Sequence, residues 1–188
     1  MTTRTRQLEK EVVYYCTFTC YKWIPLFEIT DFYDAVYKWF DILKKFNNKV
    51  LVYVIMPNHI HVLIYVDNNS PIINKLVANG KRFMAYEIVK RLKQMKYLKL
   101  LQQLEVAVSE YDKKRGKLHE VFQDSFDCKP CYSKKFIEQK IDYIHHNPCA
   151  KKWNLAEEYV KYPHSSAMFY ETDVHGAYIV YDYRLLDW

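Results

Sequence analysis

The sequence predicts an α+β fold, an antiparallel sheet with helices mainly on one face. Two β-rich runs separated by a Pro-Asn turn read as a hairpin, amphipathic helical stripes lie on either side of it, and the elements follow the order β-α-ββ-α-β-α. Half of the 188 residues are hydrophobic and only 3 are glycine, which excludes a disordered or low-complexity chain. The length suits one domain over 1–188, with a core at about 12–150 and a tail, 151–188, packed on it.

From Glu11 to Tyr21, the residues Val12, Tyr14, Cys16, Phe18 and Cys20 alternate onto one face and predict a first strand. Thr30 is placed to cap a helix whose apolar residues, Phe32 through Phe46, recur at spacings of three and four. Val50 to Met56 and His59 to Val66 form the hairpin around Pro57-Asn58. Ser70-Pro71 supplies a cap and a first-turn proline for a helix carrying Ile73, Leu76, Met84, Ile88 and Leu92, running towards Gln103 with Gly80 as a weak point. Lys113 to Gly116 reads as a loop and Val121 to Phe126 as a short last strand. Ser133 caps a final helix with Ile137, Ile141 and Ile144 as its buried stripe, ending near Asn147-Pro148.

The net charge of +6 is uneven, since twelve Lys/Arg face four acidic residues between Lys75 and Lys117, a local balance of +8. That segment fits either a solvated helix face or a polyanion partner, nucleic acid first, with Lys81, Arg82, Lys90 and Arg91 as the phosphate contacts. Met1 to Lys10 is polar, and no stretch approaches the roughly 20 apolar residues that span a bilayer. Five cysteines, an odd number, fit reduced thiols, so a cytoplasmic protein without a membrane partner is expected. Cys128 and Cys131 have the spacing of half a zinc site or a redox pair, but no second Cys-x-x-Cys accompanies them.

The chemistry is concentrated at His59-Ile60-His61. Alternation along the second hairpin strand turns Ile60, Val62, Ile64 and Val66 to a core and both histidines to the opposite, uncovered face. Two neutral imidazoles side by side on a rigid strand can grip a divalent metal, although a bare His-x-His also fits a pair of surface histidines. The last helix offers a complement. Tyr143 lies to one side of the isoleucine stripe and Asn147 one turn later on the same flank. If this helix crosses the open side of the sheet, Asn147 becomes an oxygen ligand and Tyr143 a nucleophile. Taken singly, Tyr143 also reads as a packed aromatic and Asn147 as a helix-terminal residue before proline.

Three motifs in order, Met56-Pro57-Asn58-His59-Ile60-His61-Val62-Leu63-Ile64, then Asp142-Tyr143-Ile144-His145-His146-Asn147-Pro148, then Tyr162-Pro163-His164-Ser165-Ser166-Ala167, resemble those of the REP-associated tyrosine transposases. These belong to the HUH single-tyrosine transposases, and the resemblance spans roughly residues 12–170. It implies a ferredoxin-like (split βαβ) fold with the C-terminal helix across the open face, and a metal-dependent nicking and joining of single-stranded DNA. By position, His59 and His61 match the metal-binding pair, Asn147 the residue that completes the site, and Tyr143 the nucleophile. The cofactor implied is Mg2+ or Mn2+, and the partner is single-stranded DNA with hairpin (REP-like) structure, bound by a monomer or a homodimer. Attack by Tyr143 would leave a 5′-phosphotyrosine and release a 3′-hydroxyl, with Lys140 or His146 assisting loss of the phenolic proton. Two further readings differ in chemistry. A non-catalytic nucleic-acid-binding regulator would use the same sheet, and a metal-dependent hydrolase would need a carboxylate or histidine for water, a role for which Asp67 and Asp142 are poorly placed.

Overall fold

The computed structural model describes residues 7–124 and 126–186. Four strands, β1 (Val12–Thr19), β2 (Lys49–Met56), β3 (His59–Val66) and β4 (Asp127–Cys131), form one antiparallel sheet in the order β2-β3-β1-β4. Helices α2 (Tyr33–Lys45) and α3 (Ile73–Gln94) join β1 to β2 and β3 to β4, making the two interleaved βαβ units of a ferredoxin-like sheet. Short helices α1 (Leu26–Ile29), α4 (Leu98–Val106) and α5 (Glu110–Lys114) fill the connections, and α6 (Lys134–His146) and α7 (Ala167–Thr172) follow the sheet.

Alternation builds two apolar layers. Tyr14, Cys16, Phe18, Ile60, Val62 and Ile64 face α2 and α3, whose Val36, Trp39, Phe40, Leu76, Met84 and Ile88 complete the first core. Val13, Tyr15, Val52, Val54, Met56 and Leu63 face the other way and meet Ile137 and Ile144 of α6, with Tyr162, Tyr183 and Leu186 from the tail. A register shift between Val50 and Val52 lets Leu51 and Val52 share this second layer. The face turned away from α2 and α3 is therefore covered by α6, where the C-terminal helix was expected to lie. The hairpin strands are apolar on both sides, as strands buried on both faces are.

Several local expectations change. Thr30 does not cap α2; its hydroxyl donates to the Leu26 carbonyl at 2.6 Å and closes α1 instead. Ser70 does not cap α3, since its hydroxyl donates to the Pro71 carbonyl. The long helix breaks at Lys96, held at φ 59°, so the run towards Gln103 is two helices. Gly80 is a point of close packing, because a Cβ there would overlap the Trp39 indole. The last strand is Asp127–Cys131, whereas Phe122 makes only one isolated bridge, to Cys20. Pro130 is tolerated because β4 is an edge strand. Ser133 caps α6 as expected, accepting from the Phe136 amide at 3.3 Å.

The other edge, β2, is covered by the tail. The Ile55 amide donates to the His164 carbonyl at 2.8 Å and the Ser166 amide to Tyr53 at 3.0 Å, with a bridge between Val54 and Ser165. Tyr162-Pro163-His164-Ser165-Ser166 thus satisfies the free edge of the sheet. No helix among the described residues is long and apolar enough to cross a membrane.

Candidate active site on the second face

β3 lies between β2 and β1, so side chains leaving it are walled on both sides and then roofed by α6. His59 and His61 leave it on the α6 side and are 3% and 6% exposed, with ring centroids 4.8 Å apart. The proton positions follow from their partners. Asn58 Nδ2 donates to the Trp23 carbonyl at 2.8 Å, which turns Asn58 Oδ1 towards His59 Nδ1 at 2.7 Å. An amide oxygen only accepts, so His59 carries its proton on Nδ1 and keeps a lone pair on Nε2. His61 Nδ1 meets the Tyr15 hydroxyl at 2.8 Å, while the Asn147 amide nitrogen lies 3.4 Å from Nε2. A donor facing Nε2 again leaves the lone pair there.

Both rings are held neutral. Burial, then the Lys152 charge, lowers the His59 pKa to about 4. Burial, followed by His59 and Lys140, holds His61 well below the usual imidazole range. Asn147 Oδ1 is buried without a hydrogen-bond partner. An orphaned buried acceptor costs about 1–3 kcal/mol. Beside two imidazole lone pairs it completes a nitrogen and oxygen donor set that suits a divalent cation.

Helix α6 delivers both residues. Ile137 and Ile144 anchor it to the sheet, which leaves Tyr143 and Asn147, four residues apart, on one flank. Tyr143 is 49% exposed, and its ring lies edge-on to His61 with centroids 5.3 Å apart. Lys140 Nζ sits 4.8 Å from the Tyr15 ring centroid and 5.8 Å from that of Tyr143. The other histidines of the motif lead elsewhere. Buried His145 meets Ser166 Oγ at 3.0 Å, and His146 turns back to Asp142 Oδ1 at 3.1 Å with its ring tilted against Tyr159, centroids 4.1 Å apart.

The four basic residues expected to contact DNA lie on α3, which packs against the opposite face of the sheet from the histidines. Lys81 donates to the Gln123 carbonyl at 2.7 Å, and burial lowers its pKa to about 8. Arg91 is clamped by Asp34 at 2.7 Å and Glu87 at 3.1 Å. Arg82 is exposed, and Lys90 reaches solvent beside Glu87. With Lys93 and Arg115, Arg82 and Lys90 border an open groove of about 960 Å³ between α3 and residues 115–124 with Phe126. Beside it, the oxygens of Asp112, Glu120 and Asp124 come within 4.8 Å of one another, a carboxylate cluster of the kind that holds metal ions. Lys117 already supplies a cation there, 2.6 Å from Glu120 and 3.1 Å from Asp124.

Cys128 and Cys131 fall on opposite faces of β4, so they form neither half a zinc site nor a redox pair; Cys128 instead lies beside Cys16, sulfur to sulfur 3.3 Å. Sequence reasoning missed Tyr15 and Asn58. Tyr15 is opposite Leu63 and therefore diagonal to His61 on the same face, a relationship legible only once β1–β3 register is known. Asp127 was missed too. It lies opposite Thr17, which is opposite His61, and one of its carboxylate oxygens is buried without a partner.

No protein-family model matches the chain, and no curated protein does. Among solved structures, a REP-associated tyrosine transposase bound to a REP hairpin aligns over 100% of this chain and 98% of its own, with a TM-score of 0.63 and 14% identity. The chain has the fold of that tyrosine transposase. A candidate transposase from Deinococcus radiodurans R1 aligns over 76% of this chain and 95% of its own, with a TM-score of 0.43 and 16% identity. The full-length likeness to the tyrosine transposase extends beyond the ferredoxin-like sheet to the helices and the tail.

Proposed function

We propose that the protein is a metal-dependent tyrosine transposase-type enzyme that nicks single-stranded DNA next to a hairpin and transfers the strand through a 5′-phosphotyrosine. The observation that carries this reading is a half-exposed phenol, Tyr143, with its ring against His61, one of two adjoining buried neutral imidazoles, in a site that also holds an orphaned amide oxygen. The likeness in fold to a hairpin-bound transposase supports it.

His59 Nε2, His61 Nε2 and Asn147 Oδ1 would hold Mg2+ or Mn2+, which when bound neutralises charge on the scissile phosphate. Tyr143 Oη attacks the phosphorus, the bond to the 3′ oxygen breaks, and that oxygen leaves as a 3′-hydroxyl after taking a proton. An unperturbed phenol has a pKa of about 10, so loss of its proton needs help. The ammonium of Lys140 lies 5.8 Å from the Tyr143 ring centroid, without a carboxylate partner among the described residues, and is the nearer candidate to assist. His146 is engaged by Asp142 and Tyr159 and is the weaker acceptor. The phosphodiester energy is kept in the tyrosine ester, so a second 3′-hydroxyl can reverse the step on another strand. On this reading Arg82 and Lys90 contact phosphates outside the cleavage site, while Lys81 and Arg91 serve the fold. The expected location is the cytoplasm.

Incubation with single-stranded hairpin DNA from the flanks of its own gene, with Mg2+ or Mn2+, tests the proposal on a denaturing gel. A covalent protein–DNA band that vanishes with chelator, and in His59→Ala and His61→Ala, is expected. Binding without a covalent band would favour the non-catalytic regulator, and cleavage without one the hydrolase.

A further inference from the structure

Beside the candidate metal ligands stands an aromatic group that the strand-transfer chemistry does not use. Trp23 and Trp153 pack 5.4 Å and 5.1 Å from the His59 ring, and their own centroids are 6.0 Å apart. Trp23 is 45% exposed, an unusual position for so large an apolar surface. Its backbone is disfavoured: Lys22 at φ 48° and Trp23 at φ 61° are consecutive non-glycine residues in the left-handed region. The chain holds it there through the Trp23 amide, which donates to the Cys20 carbonyl at 3.0 Å, and through Asn58, which binds the Trp23 carbonyl. The Asn58 side chain that sets the His59 proton thus also positions the indole. Lys152 Nζ lies 4.5 Å from the Trp23 centroid and 4.8 Å from that of Trp153, and no carboxylate among the described residues pairs with it.

An exposed indole, backed by a second one and accompanied by an unpaired ammonium, has the chemistry of a single-strand platform. Every base has a π-face to stack on the ring, and the adjoining phosphate takes the cation. The two indoles are too close and too tilted, at 33°, to admit a base between them, so the exposed surface of Trp23 is the one available. We propose that Trp23, backed by Trp153, stacks one unpaired base of the DNA strand next to the scissile phosphate, and that Lys152 holds a phosphate of the same segment. The inference rests on the proposed reaction for its ligand, and it adds a subsite that fixes where the strand lies relative to Tyr143.

The test measures affinity of the full chain, as Tyr143→Phe to exclude covalent capture, for the labelled hairpin strand from the flank of its own gene. The same strand is then used with a single abasic nucleotide walked through its unpaired segment. Stacking on one aromatic ring predicts that Trp23→Ala weakens binding about 5- to 150-fold. Trp23→Phe should recover most of this, and one abasic position should cost the parent as much while costing Trp23→Ala little. Lys152→Ala should flatten log K against log salt by about 0.7, one single-strand phosphate. Unchanged affinity in Trp23→Ala, or an equal loss at every abasic position, overturns the subsite. If the parent chain forms the covalent adduct while Trp23→Ala binds normally, the subsite fails and the reaction stands. If Trp23→Ala weakens binding at one position but no adduct forms with Tyr143 present, the reaction fails and the subsite stands.

Discussion

The Tyr15 hydroxyl lies 2.8 Å from His61 Nδ1, joining β1 to β3 through a buried hydrogen bond on the candidate site's face. Burial and the neighbouring Tyr143 push the Tyr15 phenol up, so it stays protonated and serves as a partner for the imidazole. Groups that orient metal-binding histidines typically contribute 10–100-fold to metal affinity. Tyr15→Phe should therefore weaken Mn2+ binding about 10–100-fold by calorimetry while the fold persists. Adduct formation should recover at high metal. Unaltered affinity would show that the hydroxyl does not orient His61.

Acid stability provides a second check. Burial lowers the His145 pKa to about 3 and that of His59 to about 4. The unfolded chain takes up these protons from about pH 6.5 downwards, whereas the folded chain does not, so the unfolded state binds more protons and stability rises with pH. Stability is fully present above about pH 6.5 and falls on acidification towards the folded values. The expected slope is about 1.4 kcal/mol per pH unit for each such histidine. His145→Gln should reduce the slope by one histidine's share in urea unfolding at pH 5 and pH 7. An identical slope in variant and parent would mean that His145 is not held neutral.

Gly80 and Trp39 form a tight crossing between α3 and α2. Gly80→Ala would gain helix propensity but push a methyl into the indole, and overpacking of this kind costs about 1–3 kcal/mol. The midpoint of chemical unfolding should fall. A rise would show that the indole can move aside.

The basic residues of α3 divide into two groups. Arg82→Ala with Lys90→Ala should flatten log K against log salt for the hairpin strand by about 1.4. Arg91→Ala should leave the slope unchanged and lower stability, because its guanidinium joins Asp34 and Glu87. An unchanged slope in the double variant would place the DNA path elsewhere.

Elements with a strong period were legible in the sequence. The alternation of Tyr14, Cys16 and Phe18 and the Pro57-Asn58 hairpin mark the sheet, and Ile137 with Ile144 orients the helix that carries Tyr143. Positions fixed by tertiary partners were not. Thr30 closes α1 by donating to the Leu26 carbonyl one turn back, and β4 forms at Asp127–Cys131 because Val13 to Thr17 offers it a free edge. The burial of His59 and His61 also escaped, since it depends on where α6 and the tail settle. In the site, local motifs marked Tyr143, His59, His61 and Asn147, while Tyr15, Trp23 and Trp153 enter through contacts between residues far apart in sequence.

The most direct measurement is the site of covalent attachment. The full chain is incubated with its hairpin strand and Mn2+, digested with protease and nuclease, and the nucleotide-bearing peptide is sequenced by mass spectrometry. The predicted result is a nucleotide joined through its 5′-phosphate to Tyr143, with no modified peptide from Tyr143→Phe. Attachment to another of the eighteen tyrosines, or an unchanged yield from Tyr143→Phe, would contradict the account.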